Sequence, residues 1–274
     1  MKYTKYHALG NDYIVIDSKD IKNDITQQEV KIICDRHYGI GSDGILFGPL
    51  KSQASDFALR IFNPDGSEAE KSGNGLRIFS RYLWDCGLVK DARFSIGTKG
   101  GQVCAQVHTA GKSVSVDMGR VRFTHESDGN PSIQAESIQI ADRQFTFYRA
   151  NVGNPHCVIP VTELSASLAI EYGKLIEQNS RFKNRTNVQF IKVIDRHNIQ
   201  IEIWERGAGY TLASGSSSTA SAAVARALGL CESAISIHMP GGIIEIDLNQ
   251  QFEARMKGAV CRIAQGEIDK EAFE

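Results

Sequence analysis

Short apolar runs, several of them alternating with polar residues, punctuate the chain. YIVIDS (13–18), DFALRIFN (56–63), RFSIGT (93–98), QVCAQVH (102–108) and SVSVDMG (113–119) are bounded by Gly and Asp turns and predict strands. TQQEVKIICDRHYG (26–39) predicts a helix, with Thr26 as its cap, apolar residues at Val30, Ile33 and Cys34, and Gly39 as its stop. GLRIFSRYLWDCGL (75–88) predicts a second, with Leu76, Phe79, Leu83 and Trp84 on one face. The second half repeats the plan. FTFYRANVG (145–153), HCVIPV (156–161), VQFIKVI (188–194), NIQIEIWE (198–205) and GIIEIDL (242–248) predict strands, and 164–179 and 217–230 predict helices.

Small landmarks recur along with the elements. Gly10-Asn11 matches Gly153-Asn154, Asn63 matches Glu205 at the end of an apolar strand, Ser72-Gly73 matches Ser214-Gly215, and Gly100-Gly101 matches Gly241-Gly242. The paired positions lie 141 to 143 residues apart, close to half of the 274-residue chain. Four matches in one order at one spacing point to an internal duplication. Each half then reads as a mostly antiparallel sheet with a long central helix. The link falls within 120–145, where RFTHESDGNPSIQ brings Gly, Asn and Pro together.

Composition narrows the function. Lys+Arg 31 against Asp+Glu 32 leaves a net charge of −1, so the basic excess of a nucleic-acid or membrane-surface protein is missing. No apolar run approaches the ~18 residues of a membrane span, and MKYTKYHALG does not resemble a signal segment. Six cysteines form no CxxC pair and show no ligand spacing, which argues against structural zinc and for reduced thiols in a cytoplasmic protein. No metal is expected.

The informative segments are NPDGSEAEKSGNGLRIF (63–79) and ERGAGYTLASGSSSTASAA (205–223). Each runs from a strand end through a glycine-bearing turn and Ser-Gly into a helix. A helix start leaves free N–H groups and a positive dipole end that suit a carboxylate or phosphate. Two such starts in a pseudo-repeat are expected to serve one cleft for a small anionic ligand. Ser72 and Ser214 are also ideal helix caps, and a cap alone needs no further role. Asn63, Asn154, Asn187, Glu205 and Arg206 at neighbouring strand ends favour the functional reading. Other motifs fail: ASGSS lacks the first glycine of G-x-S-x-G, and GAGYTL lacks the third glycine of a dinucleotide fingerprint.

HALGNDYIVID, DRHYGIGSDGILF, FNPDGSEAEKSGNGLRIFSRYL, NVGNPHCVI, NRTNVQFI, ERGAGYTLASGSSSTASAA and MPGG resemble the diaminopimelate epimerase family, in the family's order and over roughly residues 5 to 245. The resemblance implies an α+β fold of two pseudo-symmetric α/β domains, each a curled, mostly antiparallel sheet around a central helix. The expected domains are 1–120 and 145–274, with the last strands of the first open to a swap with the C-terminus. It also implies inversion of the α-carbon of LL-diaminopimelate or a related amino acid in lysine biosynthesis, without pyridoxal phosphate or any other cofactor, by a homodimer. Two family cysteines at the helix starts would exchange the α-proton on opposite faces. By motif, Gly73, Asn74, Gly215 and Ser216 would cradle the α-carboxylate. Asn11, Asn63, Asn154, Asn187 and Arg206 would hold the distal amino-carboxylate end. Glu205 would accept from an amino group, and His156 would support the site.

The departures are specific. Both cysteine positions are serines, Ser72 and Ser214; the family's Glu in GxGET is Tyr210; its Gln after GxD is Gly44; and a glycine beyond the second thiol is Ser216 or Ser217. A thiol has an ordinary pKa of ~8.5, lowered further at a helix N-terminus, whereas a hydroxyl is a far weaker acid. The resemblance therefore leaves open an epimerase, a divergent paralogue with another amino-acid substrate or lyase activity, and an inactive amino-acid-binding protein. Substitution of the serines to trap a complex is the weaker explanation, because it leaves Gly44, Tyr210 and Ser216 unaccounted for.

Overall fold

The computed structural model describes residues 1–21, 23–123, 125–127 and 130–273. Within the expected link, Thr124, Asp128 and Gly129 lie outside the described residues. The chain divides into two units, Met1–Val116 with Gly258–Glu274, and Asp117–Lys257.

In the first unit, strand Lys2–Ala8 pairs antiparallel with Asn11–Ile16, which runs parallel to Ile45–Leu50. Ile45–Leu50 is antiparallel to Phe57–Phe62, which is parallel to Phe94–Thr98, itself antiparallel to Gly101–His108. The second unit shows the same order of directions. Arg143–Asn151 is antiparallel to Pro155–Pro160, which is parallel to Asn187–Asp195. Asn187–Asp195 is antiparallel to Asn198–Glu205, then parallel to Ala234–Met239, then antiparallel to Gly242–Leu248. The duplication seen in the landmarks is thus a duplication of topology. In the first unit a returning strand from the C-terminus, Cys261–Glu267, pairs on the outside of Lys2–Ala8.

Parallel neighbours require a crossover, and the four helices supply them: α1 (Gln27–Cys34) and α2 (Gly73–Asp85) in the first unit, α3 (Ala166–Glu177) and α4 (Gly215–Ala227) in the second. The two members of each pair differ in what they bury. α1 covers one sheet face with Val30, Ile33 and Cys34, beside Ile14, Ile16, Ile45 and Phe47. α3 does the same with Leu168, Ala169, Tyr172 and Ile176 over Cys157, Ile159, Val188 and Phe190. α2 and α4 are buried on nearly every side, from Asn74 to Ser80 and from Ser217 to Ala225. α4 touches all six strands of its unit named above, so the sheet curls around it. Its small residues, SSSTASAAV, let the strands close in.

Two expectations shift. α1 ends at Cys34 rather than Gly39, because the Asp35 carboxylate accepts the N–H groups of His37 and Tyr38, each at 2.7 Å, and turns the backbone to ψ 130°. The strand Lys2–Ala8 has too polar a pattern to be read from sequence, yet Tyr6 and Ala8 are fully buried.

Candidate active site

In the first unit, Ser72 leaves the strand–turn segment in an extended conformation and caps α2, its Oγ accepting the Gly75 N–H at 3.0 Å. The first turn carries no acidic side chain, so the positive end of the helix is not offset locally. Gly75 packs closely: a Cβ there would lie 3.0 Å from Leu46 Cδ2 and 3.2 Å from Ser72 Oγ. Asn74 is buried and donates to Asn11 Oδ1 at 2.9 Å, while Arg77 donates to Asn74 Oδ1 at 2.9 Å. Arg77 is wholly buried, and burial pushes its pKa down to about 10, which still leaves it charged at neutral pH. Asn11 in turn donates to Asp43 at 2.8 Å. Asp43 and Asp12 share Arg36, each at 2.8 Å, and Lys5 also reaches Asp12 at 2.9 Å. Burial alone would raise the Asp12 pKa, but hydrogen bonds from Arg36 and Lys5 hold it below the usual range. Asn63 is exposed, its Nδ2 donating to Ser67 Oγ at 3.0 Å.

In the second unit, Ser214 caps α4 in the same way, its Oγ accepting the Ser217 N–H at 3.3 Å, again with no acid in the first turn. Gly215 and Ser216 open the helix. Where the first unit packs Leu46 against Gly75, here Gln189 donates to Ser217 Oγ at 3.0 Å. Gln189 Oε1 lies 3.3 Å from His156 Nδ1, and His156 Nε2 lies 2.9 Å from Asn154. His156 is 1% exposed, and burial drives its pKa down to about 4. The ring is therefore neutral at pH 7 and carries one N–H. Both ring nitrogens face side-chain carbonyl oxygens, Oε1 of Gln189 and Oδ1 of Asn154, and the single N–H donates to one of them. Asn187 donates to Pro155 O at 2.9 Å and accepts the Arg206 N–H at 3.0 Å, fixing the turn that follows Glu205. Arg206 donates to Asn184 O at 3.0 Å, and Glu205 accepts from Thr211 at 3.4 Å.

Strand alternation sorts these side chains. Val188, Phe190 and Trp204 join the cluster under α3, whereas Gln189 bonds to a residue of α4. Tyr210 falls with the α3 cluster, and its hydroxyl donates to Glu202 at 2.6 Å. Burial and the Glu202 carboxylate raise its pKa to about 12.

Several of the residues read from sequence form two networks, one in each unit, whereas Asn63 bonds to Ser67 and Glu205 to Thr211. The first ties Asn11 to Asn74, the second ties Asn154 and His156 to the cap turn of α4, with Asn187 and Arg206 beside it. Sequence reasoning missed Gln189, Arg77 and Tyr13, whose Oη lies 3.1 Å from Ser72 Oγ. Gln189 and Arg77 are polar residues inside apolar runs, and that was the one available signal. Of the six cysteines, Cys34, Cys157 and Cys231 are buried with raised pKa values, burial being the main cause. Cys86 sits at the far end of α2 from Ser72. No cluster of three metal-ligating side chains occurs among the described residues, and no helix is long and apolar enough to cross a membrane.

The family model described as diaminopimelate epimerase matches residues 3–124 and 148–263. The chain is 56% identical over 278 residues to "Diaminopimelate epimerase 2" of Nostoc sp. (strain PCC 7120), covering 100% of this chain and 97% of that one. It is 36% identical to a diaminopimelate epimerase of Caldanaerobacter subterraneus subsp. tengcongensis, covering 98% of this chain and 100% of that one. A solved structure of a probable proline racemase from Agrobacterium radiobacter shares the fold, with a TM-score of 0.74 at 13% identity over 100% of this chain and 94% of that one. Family match, whole-length relatives and the doubled topology agree that this chain belongs to the diaminopimelate epimerase family.

Proposed function

We propose that the protein is an isomerase of the diaminopimelate epimerase type, inverting the α-carbon of LL-diaminopimelate or a closely related amino acid in lysine biosynthesis. The observation that carries this reading is the pair of serine-capped, acid-free helix starts at equivalent positions of the two repeats, in a chain 56% identical over its whole length to a diaminopimelate epimerase. Gly73, Asn74, Gly215 and Ser216 supply free N–H groups for the α-carboxylate, whose charge grows as the carbanion forms. Asn11, Asn63, Asn154, Asn187 and Arg206 recognise the distal amino-carboxylate group, and Glu205 accepts from an amino group. On this reading Ser72 and Ser214 exchange the α-proton, with His156 supporting the second of them through Gln189 and Ser217; Tyr210, on the α3 face against Glu202, takes no part. The scheme uses no pyridoxal phosphate. A cytoplasmic homodimer accords with the family and with reduced thiols.

The test is α-deuteration of LL-diaminopimelate in D2O, followed by NMR. No exchange at high enzyme concentration would sink the proposal. The serines favour a second reading, in which the site binds a diamino acid without inverting it or carries another amino-acid reaction such as a lyase step. His156 is buried and engaged with Asn154 and Gln189, so it offers no base to Ser214. Calorimetry against an amino-acid panel separates the cases: binding without exchange supports the second reading, and absence of binding removes it.

A further inference from the structure

Tyr13 is buried on strand Asn11–Ile16 with its Oη 3.1 Å from Ser72 Oγ. Two features show that this contact is built into the fold. A Cβ at Gly44 would lie 2.7 Å from Tyr13 Cε1 and 2.5 Å from Phe62 O, so only glycine at position 44 leaves the ring its place. Tyr13 also precedes His156 by 143 residues, the spacing that relates Asn11 to Asn154. It is therefore the first half's counterpart of the residue that reaches the α4 cap turn through Gln189 and Ser217. Each half sets a titratable ring against its capped helix start, directly in one and through an amide in the other.

We propose that Tyr13 is the positioning residue of Ser72: its phenol holds the Ser72 hydroxyl and exchanges a proton with it while Ser72 exchanges one with the substrate α-carbon. This rests on the epimerase reading above. Ser72 Oγ is oriented by the Gly75 N–H at 3.0 Å. In the abstracting direction the Cα–H bond breaks and its electron pair stays on the carbon. The proton passes to Ser72 Oγ, and the Ser72 proton passes to the Tyr13 phenolate. The supplying direction runs the same transfers in reverse. A phenol, ordinarily ~10, is a far stronger acid than an aliphatic hydroxyl, so it can change protonation in an accessible range where serine cannot. Tyr6 lies opposite Tyr13 on the paired strand and donates to Asp85 of α2, and α2 also carries the titratable or charged Arg77, Arg81 and Tyr82.

Two measurements test this. In the first, α-deuterium exchange of LL-diaminopimelate is followed from pH 7 to 10.5 for the wild type, Tyr13→Phe, and Tyr13→Phe with Ser72→Cys. Tyr13→Phe should cut kcat roughly 100-fold or more, leave KM nearly unchanged and abolish the alkaline rise. Adding Ser72→Cys should restore exchange, because a thiol needs no phenol. An unchanged rate and pH profile in Tyr13→Phe overturns the proposal. The second needs no substrate. Iodoacetamide alkylation at position 72 is followed against pH, by peptide mass spectrometry, in Ser72→Cys with and without Tyr13→Phe. Loss of the phenol should move the midpoint upward and slow alkylation at pH 7 by about tenfold, since a hydrogen bond to a thiolate favours it. Identical profiles overturn the proposal. Absence of exchange in the wild type sinks the epimerase reading, and the alkylation result alone then decides for or against Tyr13.

Discussion

Replacing His156 should flatten the acid limb of the stability profile. The ring is 1% exposed, and burial lowers its pKa from the ordinary 6.5 to about 4, with Arg206 adding to the drop and the Gln189 hydrogen bond opposing it. Between these values the unfolded chain binds a proton that the folded chain refuses, so stability rises with pH across the window. The contribution is complete above pH ~6.5 and is lost as the pH falls toward 4. Each pKa unit is worth ~1.4 kcal/mol. Acidification should therefore cost about 1 kcal/mol by pH 5.5 and about 3 kcal/mol by pH 4 from this residue alone. Urea denaturation of the wild type and His156→Gln at pH 7, 5.5 and 4.5 isolates it, because the carboxylates titrate alike in both and cancel in the difference. His156→Gln should start less stable at pH 7, having lost a fitted partner of Asn154 and Gln189, and then lose less on acidification. Parallel curves would show that His156 is protonated in the folded state, and the neutral-ring network drawn above would fall with them.

Ser72→Ala and Ser214→Ala should each lower unfolding free energy by about 1 kcal/mol, since each removes a helix cap; guanidinium melts check this, and no change would deny the capping role. Gly44→Ala should destabilise by about 1–3 kcal/mol and displace the Tyr13 ring, because the added methyl meets Phe62 O and Tyr13 Cε1; thermal melts and near-ultraviolet circular dichroism read both effects. Ser72→Cys with Ser214→Cys should raise α-proton exchange at least tenfold if only acidity at the two helix starts is limiting. A flat response in D2O would place the limitation elsewhere, with Gly44 and Tyr210 the next positions to revert.

Much of the protein is local information and was legible as such. Periodicity marked α2, α3 and α4 to within a few residues, the recurring landmarks disclosed the doubled plan, and Ser72 and Ser214 announced themselves as caps because a helix start needs an acceptor for its free N–H groups. Asn11, Asn74, Asn154 and His156 were picked out by motif, and the contacts they make could not be. Asn11 meets Asn74 across 63 residues and His156 meets Gln189 across 33, separations that no local pattern spans. The strand Lys2–Ala8 forms because a C-terminal strand and Asn11–Ile16 pair with it on either side. Tyr13 looked like one more apolar strand residue until alternation turned it toward α2 and the missing side chain of Gly44 made room for it. Tyr210 stood for a lost carboxylate in the sequence, but strand pairing set it on the α3 face against Glu202. Local sequence set the helices, most of the strands, their repetition and the chemistry at the two helix starts, because capping and periodicity act over a few residues. Only the tertiary structure decided which rings and amides stand behind those serines, because that depends on which faces of distant strands the curled sheets bring against α2 and α4.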